Sequence, residues 1–419
     1  MVDLGGMMIE LHKTTVGEIT ENLDNIRVPL SKKQRSIIEK VYPYYGAQGI
    51  IDYVDGYLFD GQYLLVAEDG ENLKSQNSHI CNIVDGKFWV NNHAHIIRGR
   101  KDNNTEYLYY LLNLVNYRNY VTGSAQPKLT KDNLNSIQVY THPPSVQTKI
   151  ATVLSTLDKK IALNNHINTE LEAMAKTLYD YWFVQFDFPI SEAQANALGK
   201  LEFKGKPYKS SGGKMVFNEA LKREIPEGWD GASILAVANL LGGGTPTKKN
   251  SEYWSGHIPF FTPTDADGTI FKFSTESYIT DEGLKNSSTQ LFLENTVLIT
   301  ARGSVGKLVL AGEKMAMNQS CYALQAKEGI SYAYLYFLTE ELIYFLKVKA
   351  SGSVFNSIVS NDIKLTNLSI PKQELVEDFA EIIEPMFETI SINTQENQQL
   401  TKLRDWLLPM LMNGQVTVK

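Results

Sequence analysis

Cysteine is nearly absent from this chain of 419 residues, with Cys81 and Cys321 its only two. They are too few for a disulfide framework and lack metal-ligand spacing, which fits a reducing cytoplasm. Long apolar runs are missing as well: no stretch of about 18 uninterrupted apolar residues occurs, and Met1 to Glu10 has no basic segment ahead of an apolar core. Neither export nor a membrane span is expected. Positive charge is not in excess, since 40 Lys and Arg stand against 47 Asp and Glu for a formal net charge of −7. That balance argues against a protein that coats nucleic acid through bulk attraction. Local patches remain: Arg27 with Lys32, Lys33 and Arg35; Arg98 with Arg100 and Lys101; and the run from Lys200 to Arg223. Charge runs of this kind are more often solvated surface than binding sites.

Catalytic signatures are wanting too. His142-Pro143-Pro144-Ser145 lacks the acidic or amide residue before its prolines, and the aromatic after them, that hold a flipped adenine. Gly303-Ser304-Val305-Gly306-Lys307 is too short for a phosphate-binding P-loop, and Leu308 follows its lysine where Ser or Thr is needed. His93 and His95, either side of Ala94, are not read as a metal pair. No catalytic residue, metal ligand or bound cofactor is therefore assigned to the chain.

What is present is length, ordinary globular composition (43% apolar, 21% charged) and an internal repeat. The length exceeds what one hydrophobic core usually supports, so two or more domains are expected. Alternate steps of four and three residues from Ile150 give Ile150, Leu154, Leu157, Ile161, Asn164, Asn168, Leu171, Ala175, Leu178 and Trp182. The same walk from Phe379 gives Phe379, Ile383, Met386, Ile390, Asn393, Asn397, Leu400, Arg404, Leu407 and Leu411. Both are heptad seams. The offset is constant at 229, and each seam carries two asparagines in its middle. A seam asparagine costs stability and is usually kept to fix register or partner choice, so Asn164, Asn168, Asn393 and Asn397 are candidate register pins.

The segments ahead of the two seams follow one plan. Tyr42 to Gly70 reads as glycine-punctuated strands, Gly86 to Arg98 as a strand, and Glu106 to Val121 as a helix. A short helix is expected at Val16 to Leu23, and a turn at Gly123 to Pro127. Pro143-Pro144 stops regular structure before the first long helix. In the second half come a β-rich region from Trp229 to Leu324, a helix at Tyr332 to Val348, a turn at Ser351 to Asn356, and a strand ending at Ile370-Pro371. Gly86 to Asn92 aligns with Gly312 to Asn318 at offset 226. The polar stretch between Asp187 and Glu227, with Ser210-Ser211-Gly212-Gly213, reads as a flexible linker. Pro385 is expected to kink or break the second long helix. The division is thus 1–144 and 228–371 for two mixed domains, 145–186 and 372–413 for two long helices, and 187–227 for the linker.

The chain resembles the DNA-specificity (S) subunits of type I restriction-modification systems over essentially its whole length. In the first half the likeness rests on RVPL at Arg27–Leu30, YPYYGAQGIIDYV at Tyr42–Val54, DGQYLLVAEDG at Asp60–Gly70 and VNNHAHI at Val90–Ile96. In the centre it rests on LEAMAKTLYDYWFVQFDF at Leu171–Phe188, YKSSGG at Tyr208–Gly213 and IPEGW at Ile225–Trp229. In the second half it rests on GGGTPTKKNSEYWSGHIPF at Gly242–Phe260, ARGSVGKL at Ala301–Leu308, MNQSCYAL at Met317–Leu324 and LLPMLMNGQV at Leu407–Val416. The resemblance implies an α+β fold: two target-recognition domains, each for one half of a split double-stranded DNA site, with two antiparallel coiled-coil helices between them. It also implies two methyltransferase subunits and restriction-translocase subunits as partners, no catalysis by the chain itself, and a complex that uses S-adenosylmethionine, ATP and magnesium. Phosphates and bases would be met by Lys32, Lys33, Arg35, Gln48, Arg98 and Lys128 in the first domain. In the second they would be met by Thr245, Lys248, Lys249, Arg302, Ser304 and Lys307. A helix from Leu157 to Trp182 would span about 39 Å at 1.5 Å per residue, close to the roughly 34–36 Å between half-sites one turn apart on B-DNA. Two readings of other classes compete: a self-contained DNA methyltransferase or nuclease, and a coiled-coil scaffold that binds no DNA.

Overall fold

The computed structural model describes residues 2–3, 11–123, 126–197, 199–350 and 356–418. It divides into two compact units, one of Met1–Ile161 with Gln398–Lys419 and one of Ala162–Asn397. Both divisions fall inside long helices. The segment read as a linker is not one of them.

Each unit is built on the same strand plan. In the first, an antiparallel sheet has the spatial order Thr20–Asn22, Ala94–Gly99, Tyr63–Ala67, Cys81–Val84. A second sheet orders Gly49–Val54, Tyr42–Gly46, Lys87–Val90, Phe59–Asp60, with Tyr42–Gly46 parallel to Lys87–Val90. In the second unit the larger sheet runs Ala238–Gly242, Cys321–Ala326, Val297–Thr300, Leu308–Ala311, Phe271–Lys272. Its companion pairs Trp254–Phe261 in parallel with Ala316–Met317. The strand before each long helix is antiparallel to one ahead of its unit's main sheets in the sequence: Gln138–Thr141 with His12–Thr15, and Asn367–Ile370 with Asp230–Ser233. The repeat read from the helical seams therefore extends to sheet topology, although the upstream sequences align poorly.

The long helices are Pro144–Tyr179, continued as a π-helical turn over Asp180–Val184, and Gln373–Met412. Pro144 does not precede the first helix but starts it, where a missing N–H costs nothing. Every seam residue is buried or half-buried, and neighbouring positions such as Ala151, Tyr179 and Phe387 are buried with them. In the first unit Ile150, Ala151 and Leu154 join Leu407, Leu411 and Met412 under the helix Thr105–Asn113. In the second unit Tyr179, Trp182, Phe183, Phe379 and Phe387 form an aromatic core with Tyr334 and Phe337 of the helix Tyr332–Lys349. Within that unit the two long helices run antiparallel, since Asn164 meets Asn397, Asn168 meets Asn393, and Trp182 lies 5.5 Å from Phe379 between ring centres.

The four seam asparagines face inward and bond to one another. Asn164 Nδ2 donates to Asn397 Oδ1 at 2.9 Å and to Glu396 Oε2 at 2.7 Å. Asn393 Nδ2 donates to Asn168 Oδ1 at 2.9 Å, and Asn397 Nδ2 to Asn165 Oδ1 at 2.8 Å. Asn164 has no exposed surface, and Asn168 and Asn393 are also buried. Replacing Asn168 alone with leucine should cost about 1–3 kcal/mol, because the Asn393 amide then loses its acceptor in a closed seam. Replacing both with leucine should restore or raise stability while loosening register. Thermal melting of the single and double variants, with cysteine crosslinking to report register, reads both outcomes.

Several elements differ from the sequence reading. The second helix continues through Pro385 without a break: one lost N–H bond is outweighed by the burial of Phe379, Ile383, Phe387 and Ile390 on either side. The stretch read as a linker is folded. Phe188 stacks on Tyr208 at 4.6 Å and on Trp229 at 5.5 Å, Ser210 donates from N and Oγ to the Asp187 carboxylate at 2.7 and 2.6 Å, and Met215–Asn218 pairs with Arg223–Pro226. The strand expected over Gly86–Arg98 is two strands with a turn at 91–93. The helix expected at Glu106–Val121 ends at Asn113, before a 3-10 turn at Tyr117–Tyr120, and that at Val16–Leu23 ends at Ile19. Of the two expected turns, Ser124, Ala125 and residues 351–355 lie outside the described residues. Among those described, no helix is long and apolar enough to cross a membrane.

Candidate nucleic-acid interface

The turn at 91–93 in the first unit is rebuilt at 318–320 in the second. Asn91 N–H donates to Tyr45 O at 3.0 Å and Asn91 Oδ1 accepts from His93 N–H at 2.8 Å. Asn318 N–H donates to Phe261 O at 3.0 Å and Asn318 Oδ1 accepts from Ser320 N–H at 2.9 Å. Each asparagine thus closes an Asx turn at the end of the strand that runs parallel to its neighbour. Val90 pairs with Tyr45 as Met317 pairs with Phe261, so the structural offset here is 227, one residue more than the sequence alignment. The residue after each asparagine, Asn92 or Gln319, is an exposed amide. Neither was singled out in the sequence. The signal was present in VNNH and MNQS, hidden by the one-residue shift.

Three further loops surround the second unit's turn. Gly244 N–H donates to Met317 O at 3.1 Å and the Thr245 hydroxyl bonds Gln319 Oε1, which seats the 242–250 loop beside 318–320. Ala301 and Arg302 N–H groups reach Ser320 O at 2.8 and 3.2 Å, seating the 301–307 loop on the other side. That loop is the hairpin between Val297–Thr300 and Leu308–Ala311, with Gly303 and Gly306 at φ of +81° and +79°. Thr262 and Thr264 share a 2.8 Å hydrogen bond in the next loop. Thr245 and Arg302 therefore meet at one turn, with Ser304 further along the Arg302 hairpin. Lys248 and Lys249 are exposed on the same loop as Thr245 and, like Arg302, have no acidic partner among the described residues. Lys307 is different, since its Nζ is tied to Ala266 O at 2.6 Å and acts as a brace between loops.

The first unit's candidates do not form one group. Gln48 is exposed at the tip of the hairpin Tyr42–Gly46/Gly49–Val54, and Lys32 and Lys33 are exposed on the one-turn helix Lys32–Arg35. Arg35 is spent on structure: it pairs with Asp52 at 2.7 Å and lies 4.9 Å over the Tyr44 ring. Arg98 pairs with Glu21 at 2.7 Å, away from the hairpin tip on the strand Ala94–Gly99. Lys128 pairs with Glu68 at 3.2 Å. Glu68 and Asp24 anchor a half-buried network beneath the 91–93 turn. Arg27 donates to Glu68 Oε2 at 2.8 Å and Ala94 O at 2.7 Å, while His95 contacts Asp24 Oδ2 through Nδ1 at 2.6 Å and Leu129 O through Nε2 at 2.8 Å. Burial pushes the Asp24 carboxyl up, but the His95 hydrogen bond and charge, the Ile96 N–H and Arg27 together outweigh it and hold the pKa below its ordinary value.

His93 closes that turn, and His95 lies on the strand that follows it. Alternate positions of one strand share a face, so spacing alone would not part them. His93 precedes the strand and reaches Asp69 at 2.7 Å, whereas His95 turns to Asp24. Among the described residues no group of three His, Cys, Asp or Glu could hold a metal ion. Cys81 and Cys321 are both buried, with their thiols pushed up by burial.

A sequence profile described as the type I restriction modification DNA specificity domain matches residues 9–173 and again 226–402. The type I restriction enzyme HindI specificity subunit of Haemophilus influenzae is 23% identical, covering 85% of this chain and 84% of its own. The putative type I restriction enzyme specificity subunit S.HindORF215P of the same organism is 25% identical over 96% of both. Among solved structures, the S subunit of a type I restriction-modification system from M. genitalium shares the fold, with a TM-score of 0.65 over 96% of each chain at 14% identity.

Proposed function

The chain belongs to the type I restriction-modification DNA specificity family, and from that premise we propose that it recognises a bipartite double-stranded DNA target, one half with each unit. The observation that carries this reading is the paired Asx turn. One frame presents an exposed amide twice, at Asn92 and Gln319, amid side chains that differ between the units. A shared frame with different surroundings suits two half-sites of different sequence. Phosphates would be met by Lys32, Lys33, Lys248 and Lys249, which have no acidic partner among the described residues, and base edges by Gln48, Asn92, Arg302 and Gln319.

In this reading the chain catalyses nothing. It works in the cytoplasm, where its repeated helices dock two methyltransferase subunits and recruit the restriction subunits; S-adenosylmethionine, ATP and magnesium serve those partners. The length of the helix pair sets the spacing between half-sites. Long-read methylation sequencing of a host carrying the gene with its methyltransferase tests the proposal: a split motif with a fixed gap is expected, and unmodified DNA overturns it. Adding one helical turn to each long helix should lengthen the gap, and an unchanged gap removes the spacer role.

The cations give a separate prediction. Lys248→Ala/Lys249→Ala should weaken binding of the complex to target and non-target DNA alike, and the slope of log K against log salt should fall by about 0.9 for each phosphate that the variant no longer neutralises. Binding titrations between low and moderate salt measure it.

A further inference from the structure

The edge strand Gly49–Val54 of the first unit carries an apolar surface that packing does not explain. Ile50 is 48% and Ile51 53% exposed, at the point where the pairing with Tyr44 and Tyr45 shifts register. A Cβ built on Gly46 would fall 3.1 Å from Ile51 Cγ2 and 3.5 Å from Asn91 Nδ2. The Ile51 side chain therefore shares the foot of the hairpin tip with the 91–93 turn, beside the exposed amides Gln48 and Asn92. Behind this strand sits the helix Lys32–Arg35, joined to it through Arg35 and Asp52, with Lys32 and Lys33 lacking an acidic partner among the described residues.

An exposed aliphatic group, carboxamides and lysines without an acidic partner among the described residues, gathered on a hairpin at a sheet edge, have complementary partners in one place, the major groove at an A·T pair. The thymine C5-methyl takes apolar contact, the adenine N6 and N7 take a carboxamide, and the flanking phosphates take the lysines. The hairpin tip at 47–48 projects past the paired residues Tyr45 and Val90, and the minor groove shows no methyl. We propose that Ile51 reads a thymine methyl in the half-site of the first unit, with Gln48 or Asn92 on the adenine of the same or the next pair. This rests on the DNA-recognition reading above and adds to it a base and an atom. Among the described residues of the second unit, Thr245, Arg302 and Gln319 stand at the corresponding turn, and no exposed isoleucine or leucine accompanies them there.

The test uses the full chain with its methyltransferase partner and a duplex target selected from random DNA. Each thymine in the selected site is replaced in turn by deoxyuridine, which removes only the methyl. At one position the parent complex should bind about fourfold more weakly, as expected for loss of one buried methyl. The Ile51→Ala complex should bind the intact site about fourfold more weakly and make no distinction between thymine and uracil there. Selective binding that is indifferent to every deoxyuridine, or a thymine preference unchanged by Ile51→Ala, overturns the inference and leaves DNA recognition standing. Failure to select any sequence overturns the recognition reading itself, and this inference with it. If Ile51→Ala instead changes self-association in light scattering while thymine and uracil bind alike, the strand is an edge that pairs with a second copy, and the methyl contact is overturned.

Discussion

Replacing Asp24 with alanine should destabilise the first unit by about 3–5 kcal/mol, the cost of stripping a buried charge network of one partner. The Asp24 side chain is 8% exposed and that of His95 2%. The carboxylate serves His95 Nδ1, the Ile96 N–H and the Arg27 guanidinium at once, so its removal leaves three donors facing a closed space. Hydrogen exchange of the strand Ala94–Gly99 should report the loss, with little change in strand Val297–Thr300 of the second unit. The same network fixes the acid response. Asp24 and Glu68 both have folded-state pKa values below their ordinary ones. Their contribution is therefore complete above the unfolded pKa values, about 3.9 for Asp and 4.3 for Glu, and fades as the pH falls through the lower folded values. Stability of the first unit should decline below about pH 4, and Asp24→Ala should flatten that decline. A variant as acid-sensitive as the parent would remove Asp24 from the cause.

Phe379→Ala should cost the second unit about 3–5 kcal/mol. Phe379 is fully buried, edge-on to Phe183 at 4.9 Å between ring centres, with Trp182 at 5.5 Å and Tyr179 at 6.2 Å. Three aromatic rings from the end of one long helix close around one ring at the start of the other. Neighbours of that size cannot collapse into the cavity, so the transfer loss and the cavity loss add. A urea titration followed by tryptophan fluorescence, with hydrogen exchange of the helix Tyr332–Lys349 to assign the loss to the second unit, measures it, and Phe379→Leu should cost clearly less.

The helices and their pairing were legible because heptad spacing is a property of the sequence alone, and two asparagines at one offset in both seams identify a repeat without any knowledge of contacts. The strands around Tyr42–Gly70 were legible for a similar reason, since glycines mark their ends. The segment 187–227 was not. Phe188, Tyr208 and Trp229 stand apart among polar residues and become a core only when stacked, which no local pattern records. Pro385 misled in the opposite direction, as a local penalty overridden by burial over several turns. At the candidate interface the partners of the charged residues were not legible. Lysines 32, 33, 248 and 249 have no acidic partner among the described residues, whereas Arg35, Arg98, Lys128 and Lys307 are held by Asp52, Glu21, Glu68 and the Ala266 carbonyl. A sequence shows a positive charge and not its partner. Asn92 and Gln319 were missed because their equivalence depends on strand register, which the structure fixes one residue from the alignment.

The first unit is closed by the last residues of the chain, with Leu407, Leu411, Met412 and Val416 completing a core begun at Val16. This sets an order in time. On a ribosome adding about 5–20 residues per second, the hundreds of residues between Ile161 and Gln398 take on the order of ten to fifty seconds to appear. During that wait Ile150 and Leu154 have no lid, while the second unit already holds every residue it needs up to Asn397. The half synthesised first is thus the half finished last, and a chain released early would carry a mature second unit beside an open, adhesive first one.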